Sequence, residues 1–231
     1  MSTYKNLLID LDDTLWDCSQ NAEDTFREVY QLFGLERFFQ SFEQFYTIYH
    51  KRNVELWADY GKGLIGKDEL NEQRFAHPFR TVDAFDPDLV HDFREAFFAR
   101  IPCKSKVKPH THEALEYLAT RYRLHILSNG FRELQERKMK SAGIFDYFDH
   151  IVLSDDIGVH KPSPLLFDYA IRQIGATREE TLMIGDNWEV DIEGAKASGI
   201  DQLFYNPKRQ AGLPFRPTLE ITDWAQVASV L

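Results

Sequence analysis

Four short segments of the 231-residue chain combine residue types suited to the transfer of a phosphoryl group. They are Asp10-Leu11-Asp12-Asp13-Thr14, Ser128-Asn129-Gly130, Lys161-Pro162, and Gly185-Asp186 with Asp191. Clustered carboxylates repel one another and need a hard cation, and Mg²⁺ prefers oxygen ligands. The cation screens the approach of one anion, an aspartate, to another, a phosphate. Aspartate is also a known nucleophile toward phosphorus.

The remaining side chains fit supporting roles in the same chemistry. An acid two residues after the nucleophile could reach the leaving oxygen and later the attacking water, as general acid and base. A hydroxyl, the N–H groups at a helix start and a lysine can hold the other phosphate oxygens. Each segment alone has a plain structural explanation as a cap, a turn or a solvated charge. Their joint occurrence is what favours a site.

The elements that must position these residues alternate along most of the chain. Six apolar runs predict strands, at Tyr4–Asp10, Leu124–Ser128, about His150–Leu153, Thr181–Ile184, Gln202–Tyr205 and Leu219–Thr222. Helical patterns lie between them, over Thr111–Tyr122, Phe131–Ala142, about Pro164–Ile174, Asp191–Ala197 and Trp224–Leu231. This alternation predicts an α/β fold with a doubly wound parallel sheet. Ligands bind such sheets outside the carboxyl ends of the strands, where the four segments fall.

The first strand is separated from the second by about 80 residues of different character. This stretch is rich in aromatic residues, and its apolar positions recur at helical spacing, as in Phe26, Val29, Tyr30 and Phe33. We therefore expect an inserted all-helical domain over residues 17–100. Residues 1–16 and 101–231 would form the α/β core.

The four segments, in this order and spacing, resemble the four motifs of the haloacid dehalogenase superfamily. The resemblance covers nearly the whole chain, and it implies a Rossmann-like core with a helical cap inserted between the first and second motifs. It implies Asp10 as nucleophile and Asp12 as acid/base, with Mg²⁺ held by Asp10, the Asp12 carbonyl and Asp186. It further implies a supporting role for Asp191.

Phosphate-binding groups also follow from the resemblance. It implies that Ser128, Asn129, Gly130 and Lys161 hold the transferring phosphate, with Thr14 as a further supporting residue. Asp13 and the neighbouring His160 are not needed by this scheme. We expect Asp13 to be solvated or to cap a helix, and His160 to be a bystander.

Asp12 favours a phosphatase over a dehalogenase, because expulsion of a halide needs no acid two residues after the nucleophile. We therefore predict a magnesium-dependent phosphatase that forms an aspartyl-phosphate on Asp10. Two alternatives stay open: a general phosphatase of small metabolites such as phosphoglycolate or sugar phosphates, and an inactive binding protein on the same fold.

The insertion is similar to the cap of bacterial pyrimidine 5′-nucleotidases that act on non-standard nucleotides. The similarity lies in Asn53–Tyr60, Gly61, Gly63, Ile65, Leu70, Arg74 and Phe75, and in the segments that begin at Ser128 and Val159. It implies a nucleoside 5′-monophosphate as substrate. Trp16, Trp57, Tyr60 and Phe131 could stack against a base, although aromatics at helical spacing also suit a cap core.

Composition excludes several other classes of partner. The formal net charge of −10 speaks against a nucleic-acid polymer or an anionic membrane surface, and no apolar stretch approaches a membrane span. Cys18 and Cys103 show no metal-ligand spacing and suit free thiols. We expect a cytoplasmic monomer or homodimer that acts on a small phosphomonoester.

Overall fold

One parallel sheet positions all the predicted site segments. The computed structural model describes residues 4–231, and its strands are β1 Asn6–Ile9, β2 Arg123–Ser128, β3 His150–Leu153, β4 Thr181–Gly185, β5 Asp201–Tyr205 and β6 Leu219–Ile221. Every neighbouring pair is parallel, in the spatial order β3-β2-β1-β4-β5-β6. The order reverses between β1 and β4, which is the position where such sheets bind ligands. The predicted doubly wound α/β fold is confirmed.

Helices occupy much of the chain between the strands. They are α1 Cys18–Leu32, α2 Phe42–Gly61, α3 Lys67–Thr81, α4 Pro87–Arg100, α5 Thr111–Ala119, α6 Arg132–Ser141, α7 Pro164–Ile174, α8 Gly194–Ala197 and α9 Val227–Val230. A π-helical turn, Trp188–Glu193, precedes α8. None of the helices within residues 4–231 is both long and apolar enough to cross a membrane.

The chain divides into two compact units, each with its own apolar core. One comprises the residues up to Cys18 together with Ser105–Leu231, and the other is Ser19–Lys104. We propose that the domain boundaries lie at these limits, close to the divisions after residues 16 and 100 that the sequence predicts.

In the sheet unit, alternate strand residues point to opposite faces. Leu8, Leu127 and Met183 are fully buried on one face, where they join a cluster with Leu166 and Phe167 of α7. The helix α5 packs on β2 and on the C-terminal turns. Burial on both faces is what the continuous apolar runs of a parallel sheet predict.

In the helical unit, aromatic rings form the core. The ring of Phe26 on α1 lies 4.2 Å from that of Tyr49 on α2 and 4.3 Å from that of Phe97 on α4, centroid to centroid. Phe75 on α3 completes the contact at 6.0 Å. The aromatic richness that marks this stretch in the sequence therefore serves mainly to join its four helices.

Candidate active site

Asp10 lies at the carboxyl end of β1, in the middle of the sheet. It is 7% exposed, and its N–H donates to the Ile184 carbonyl at 2.9 Å, so the backbone stays paired with β4. Because β1 lies between β2 and β4, Ser128 and Asp186 come to either side of it. The strand order thus brings together side chains that are up to 176 residues apart in sequence, from Asp10 to Asp186.

The Lys161 ammonium is the only cation within 4 Å of the Asp10 carboxylate among the described residues. Its three N–H groups reach three acceptors, each at 2.7 Å: Asp10 Oδ1, Asp191 Oδ1 and the Leu127 carbonyl. Lys161 is 1% exposed. Since an ammonium has three donors, a contact between Lys161 and phosphate requires one of these acceptors to be replaced or its hydrogen bond to be shared.

The Thr14 hydroxyl links Asp10 to Asp186. Thr14 Oγ1 lies 3.0 Å from Asp10 Oδ2 and 3.0 Å from Asp186 Oδ1, and it accepts the Asp186 N–H at 3.1 Å. Its single proton serves only one of the two carboxylates at a time. Thr14 is completely buried, so this contact also fixes the loop that follows β1.

The charges of this group favour a divalent cation. Oxygen atoms of Asp10, Asp186 and Asp191 all lie within 4.8 Å of one another. When all three carboxyl groups are ionised, they and the one ammonium leave two negative charges uncompensated, which a single divalent ion would balance. An all-oxygen donor set is what Mg²⁺ prefers, so these residues fit the ion. A bound Mg²⁺ would stabilise negative charge that develops on a phosphate.

Burial and the nearby negative charges together raise the pKa values of Asp10 and Asp186. Burial raises the pKa of Asp10 well above its ordinary value, and Asp191 and Asp186 add to this while Lys161 opposes it. Burial, then repulsion from Asp191 and Asp13, raises the pKa of Asp186 to about 7. Burial alone would lower the pKa of Lys161, but Asp10 and Asp191 outweigh it, so the ammonium stays charged.

Ser128, the last residue of β2, has a hydroxyl whose acceptor positions are filled. Its Oγ accepts the Gly130 N–H at 3.1 Å and the Gln135 side-chain amide at 2.7 Å. A hydroxyl has two acceptor sites and one donor. The Ser128 proton therefore remains available to an acceptor, as its predicted role toward phosphate requires. A side chain at position 130 would collide with Gln135, because a Cβ on Gly130 would lie 2.0 Å from Gln135 Nε2.

Asn129 contacts the backbone of Lys161 rather than its side chain. Asn129 Nδ2 donates to the Lys161 carbonyl at 3.0 Å, and the Lys161 N–H donates to Asn129 Oδ1 at 2.8 Å. This pair of hydrogen bonds joins the loop after β2 to the loop that carries Lys161. That the Asn129 backbone contacts the transferring phosphate remains a prediction.

Asp12 lies beside Asp10 in sequence but has separate partners. Lys138 Nζ donates to Asp12 Oδ1 and Gln135 Nε2 to Asp12 Oδ2, both at 2.8 Å. Both partners come from α6, and both are buried. The adjacent Asp13 has φ of 64°, in the left-handed region, and its carboxylate pairs with Lys108 at 2.9 Å.

The four aromatic residues predicted to contact a base divide between the two units. In the sheet unit Trp16 is fully buried, with Lys138 Nζ 4.6 Å from its ring centre, and Phe131 is 3% exposed at the start of α6. In the helical unit Trp57 and Tyr60 meet edge to face, 5.6 Å apart, on α2. Their predicted contact with a base remains a prediction.

Lys138 is the residue that the sequence does not reveal. The helix RELQERKMKS carries six charged side chains, and a lysine among them reads as a surface residue. The spacing of Gln135, Lys138 and Met139 places all three on one buried face, which is the only local signal. The partner that explains the burial, Asp12, is 126 residues away.

Comparison with known proteins agrees with this geometry. A family model for haloacid dehalogenase-like hydrolases matches residues 4–199. Pyrimidine 5′-nucleotidase PynA of Streptococcus pneumoniae is 28% identical, covering 99% of this chain and 95% of its own. Pyrimidine 5′-nucleotidase YjjG of Escherichia coli is 30% identical, covering 91% and 95%. Relatives at comparable identity are named phosphoserine phosphatase and glyceraldehyde 3-phosphate phosphatase.

The fold is shared with a solved structure. The putative hydrolase YfnB of Bacillus subtilis, crystallised with magnesium, superposes with a TM-score of 0.87 at 24% identity and covers 98% of each chain. The match of the family model spans most of the chain, from the first strand through α8. The chain is an enzyme of the haloacid dehalogenase-like hydrolase family.

Proposed function

We propose that this enzyme is a magnesium-dependent phosphatase that works through an aspartyl-phosphate on Asp10. The observation that carries the proposal is the buried group of Asp10, Asp186 and Asp191 around one lysine, with two negative charges uncompensated. Asp10, the Asp12 carbonyl and Asp186 would hold Mg²⁺. Asp12 supports phosphatase over dehalogenase chemistry, since only the former needs its acid.

The proposed reaction has two displacements at phosphorus. An Asp10 carboxylate oxygen forms a bond to phosphorus while the bond to the leaving oxygen breaks, and that oxygen takes the proton of Asp12. The Asp12 carboxylate then takes a proton from water as the water oxygen attacks phosphorus. The bond to Asp10 breaks, and inorganic phosphate leaves.

Replacement of Asp10 by Asn tests the covalent step. An amide oxygen is a poor nucleophile, so we expect kcat of Asp10→Asn to fall below about one thousandth of the wild-type value. Circular dichroism and the unfolding temperature should show an intact fold, because the change removes a buried charge without altering size. Retained turnover in a folded variant would refute an intermediate on Asp10.

For the substrate, we propose a nucleoside 5′-monophosphate with a pyrimidine base. The names of the relatives PynA and YjjG support this choice, as does the similarity of residues 53–75 to the cap of such enzymes. We further propose that at least one of Trp16, Trp57, Tyr60 and Phe131 contacts the base. Stacking on an aromatic ring is worth about 1–3 kcal/mol per base.

The test is phosphate release with Mg²⁺ from uridine and thymidine 5′-monophosphates, ribose 5-phosphate and phosphoglycolate. A base contact must appear as differential transition-state binding, so kcat/KM for the nucleotides should exceed that for ribose 5-phosphate by about tenfold or more. Equal values for nucleotide and sugar phosphate would exclude the base contact. A preference for phosphoglycolate would keep the phosphatase and favour the alternative of a small-metabolite enzyme.

A further inference from the structure

The carboxylate of Asp12 is held at both oxygens by one buried face of α6. Lys138 Nζ contacts Oδ1 and Gln135 Nε2 contacts Oδ2, each at 2.8 Å. Lys138 is 6% exposed and Gln135 is not exposed at all. A carboxylate with a donor on each oxygen has a fixed plane and direction, whereas one with a single donor can rotate about its hydrogen bond.

The burial of Lys138 needs an explanation beyond packing. A lysine normally buries its alkyl stem and leaves the ammonium in water, as the exposed Lys140 two residues later does. Withdrawal of an ammonium from water costs free energy that only good pairing offsets. Here the ammonium lies over the Trp16 ring, 4.6 Å from its centre, and points to Asp12.

Gln135 extends the contact to a second functional residue. Its Nε2 donates to Ser128 Oγ at 2.7 Å as well as to Asp12 Oδ2. One amide group thus contacts both Asp12, the proposed acid and base, and Ser128, which is predicted to bind phosphate, and so sets the distance between them. The distance between the leaving oxygen and the phosphate's other oxygens is fixed by chemistry, so a fixed spacing between their partners favours transfer.

We propose that Gln135 and Lys138 are positioning residues that aim the Asp12 carboxyl at the leaving oxygen. The inference rests on the proposed phosphatase function. As an Asp10 oxygen bonds to phosphorus and the bond to the leaving oxygen breaks, the Asp12 proton passes to that oxygen. The two donors on α6 hold the resulting carboxylate in place.

The leaving group separates this role from a merely structural one. Benzyl phosphate and 4-nitrophenyl phosphate have similar size, but a benzyl alkoxide is a far stronger base than 4-nitrophenolate. Departure of the alkoxide therefore needs the proton of Asp12, while departure of the phenolate does not. kcat/KM reports the steps up to loss of the leaving group, so the ratio of the two values measures the acid step.

The experiment compares Lys138→Met and Gln135→Leu with wild type, with Asp12→Asn as the reference for loss of the acid. Lys140→Met is the matched control, because Lys140 lies on the same helix, exposed and paired with Glu136. We expect kcat/KM for benzyl phosphate to fall about 10- to 100-fold in both test variants. For 4-nitrophenyl phosphate, kcat/KM of both test variants should stay within about threefold of the wild-type value. The control Lys140→Met should match wild type on both substrates.

The outcomes distinguish the two levels of the argument. Equal losses on both substrates in Lys138→Met and Gln135→Leu, while Asp12→Asn loses benzyl phosphate selectively, would overturn the positioning role and keep the acid role of Asp12. Unchanged kinetics in both variants would overturn it as well. A wild-type enzyme that releases phosphate neither from these two esters nor from any of the nucleoside and sugar phosphates named above would overturn the proposed function, and the inference with it.

Discussion

Asp186 illustrates how a single carboxyl group in this site responds to protons and metal. Its pKa is raised from 3.8 to about 7. Between these two values the folded protein binds more protons than the unfolded chain. The contribution of Asp186 to the free energy of unfolding of the metal-free protein therefore decreases as pH rises from about 4 to about 7. A divalent cation at the carboxylates removes this repulsion, so metal and proton compete for the same oxygens.

This competition predicts a stabilisation by Mg²⁺ that depends on pH. At one hundred times its dissociation constant a ligand stabilises by about 2.7 kcal/mol, which corresponds to roughly 5–10 °C in unfolding temperature for a protein of this size. We expect a shift of this order at pH 8 and a smaller one at pH 6, where Asp186 is largely protonated in the metal-free protein. Differential scanning calorimetry with and without Mg²⁺ measures both.

The variant Asp186→Asn is the control for this prediction. It keeps the Oδ1 atom that faces Thr14 and removes the negative charge. The Mg²⁺ shift should disappear, while the metal-free protein at pH 8 should unfold at the wild-type temperature or above it. An undiminished shift in the variant would show that the ion binds elsewhere.

At the scale of elements, the end of β4 and the loop after β2 each contain a glycine that another side chain approaches closely. The clearest case is Gly185 at the end of β4, where an added Cβ would lie 2.3 Å from Asp191 Oδ2. The Asp191 carboxylate must occupy that space to reach Lys161 at 2.7 Å and the Asn187 N–H at 3.1 Å. The contact between Asp191 and Lys161 therefore depends on the absence of a side chain at Gly185.

Replacement of Gly185 by Ala should disturb that geometry. We expect a loss of about 1–3 kcal/mol in the free energy of unfolding, typical of overpacking, and a decrease in kcat because Asp191 is pushed from Lys161. Urea unfolding and steady-state kinetics measure the two effects. Gly61→Ala is the matched control, since nothing lies within 4 Å of a Cβ there. That variant should be as stable as wild type or slightly more stable.

The sequence predicts the elements well where the signal is local. The strand predicted over Tyr4–Asp10 is present as Asn6–Ile9, and α7 ends before Gly175, which has φ of 64°, as predicted. Both features depend on nearby residues. Lys138 depends on a partner across the fold, which no local pattern contains. The helix predicted from Asp191 begins instead at Trp188 as a π-helical turn, because Asn187 caps it by accepting the Val190 N–H.

For the molecule as a whole, the two units have separate apolar cores. Phe26 is fully buried among the aromatic rings of the helical unit, whereas Phe167 is fully buried in the cluster on the sheet. Removal of either ring leaves a cavity in one core only. The effect on local opening should therefore be confined to the unit that contains the cavity.

Hydrogen exchange tests this expectation with a pair of matched variants. Phe26→Ala should cost about 3–5 kcal/mol and accelerate amide exchange in α2, α3 and α4 while β1 and β4 keep their protection. Phe167→Ala should give the reverse pattern. Uniform acceleration in both variants would indicate that the two cores unfold as one cooperative unit.

The contact between Asn129 and Lys161 has a consequence for how the site tolerates change. The Asn129 side chain hydrogen-bonds only to the backbone of Lys161, through one donor and one acceptor. The backbone N–H and C=O of Lys161 thus hold the loop in position, whereas its ammonium supplies the charge. A substitution of the lysine side chain can therefore change the charge of the site while both hydrogen bonds from Asn129 to the main chain remain possible.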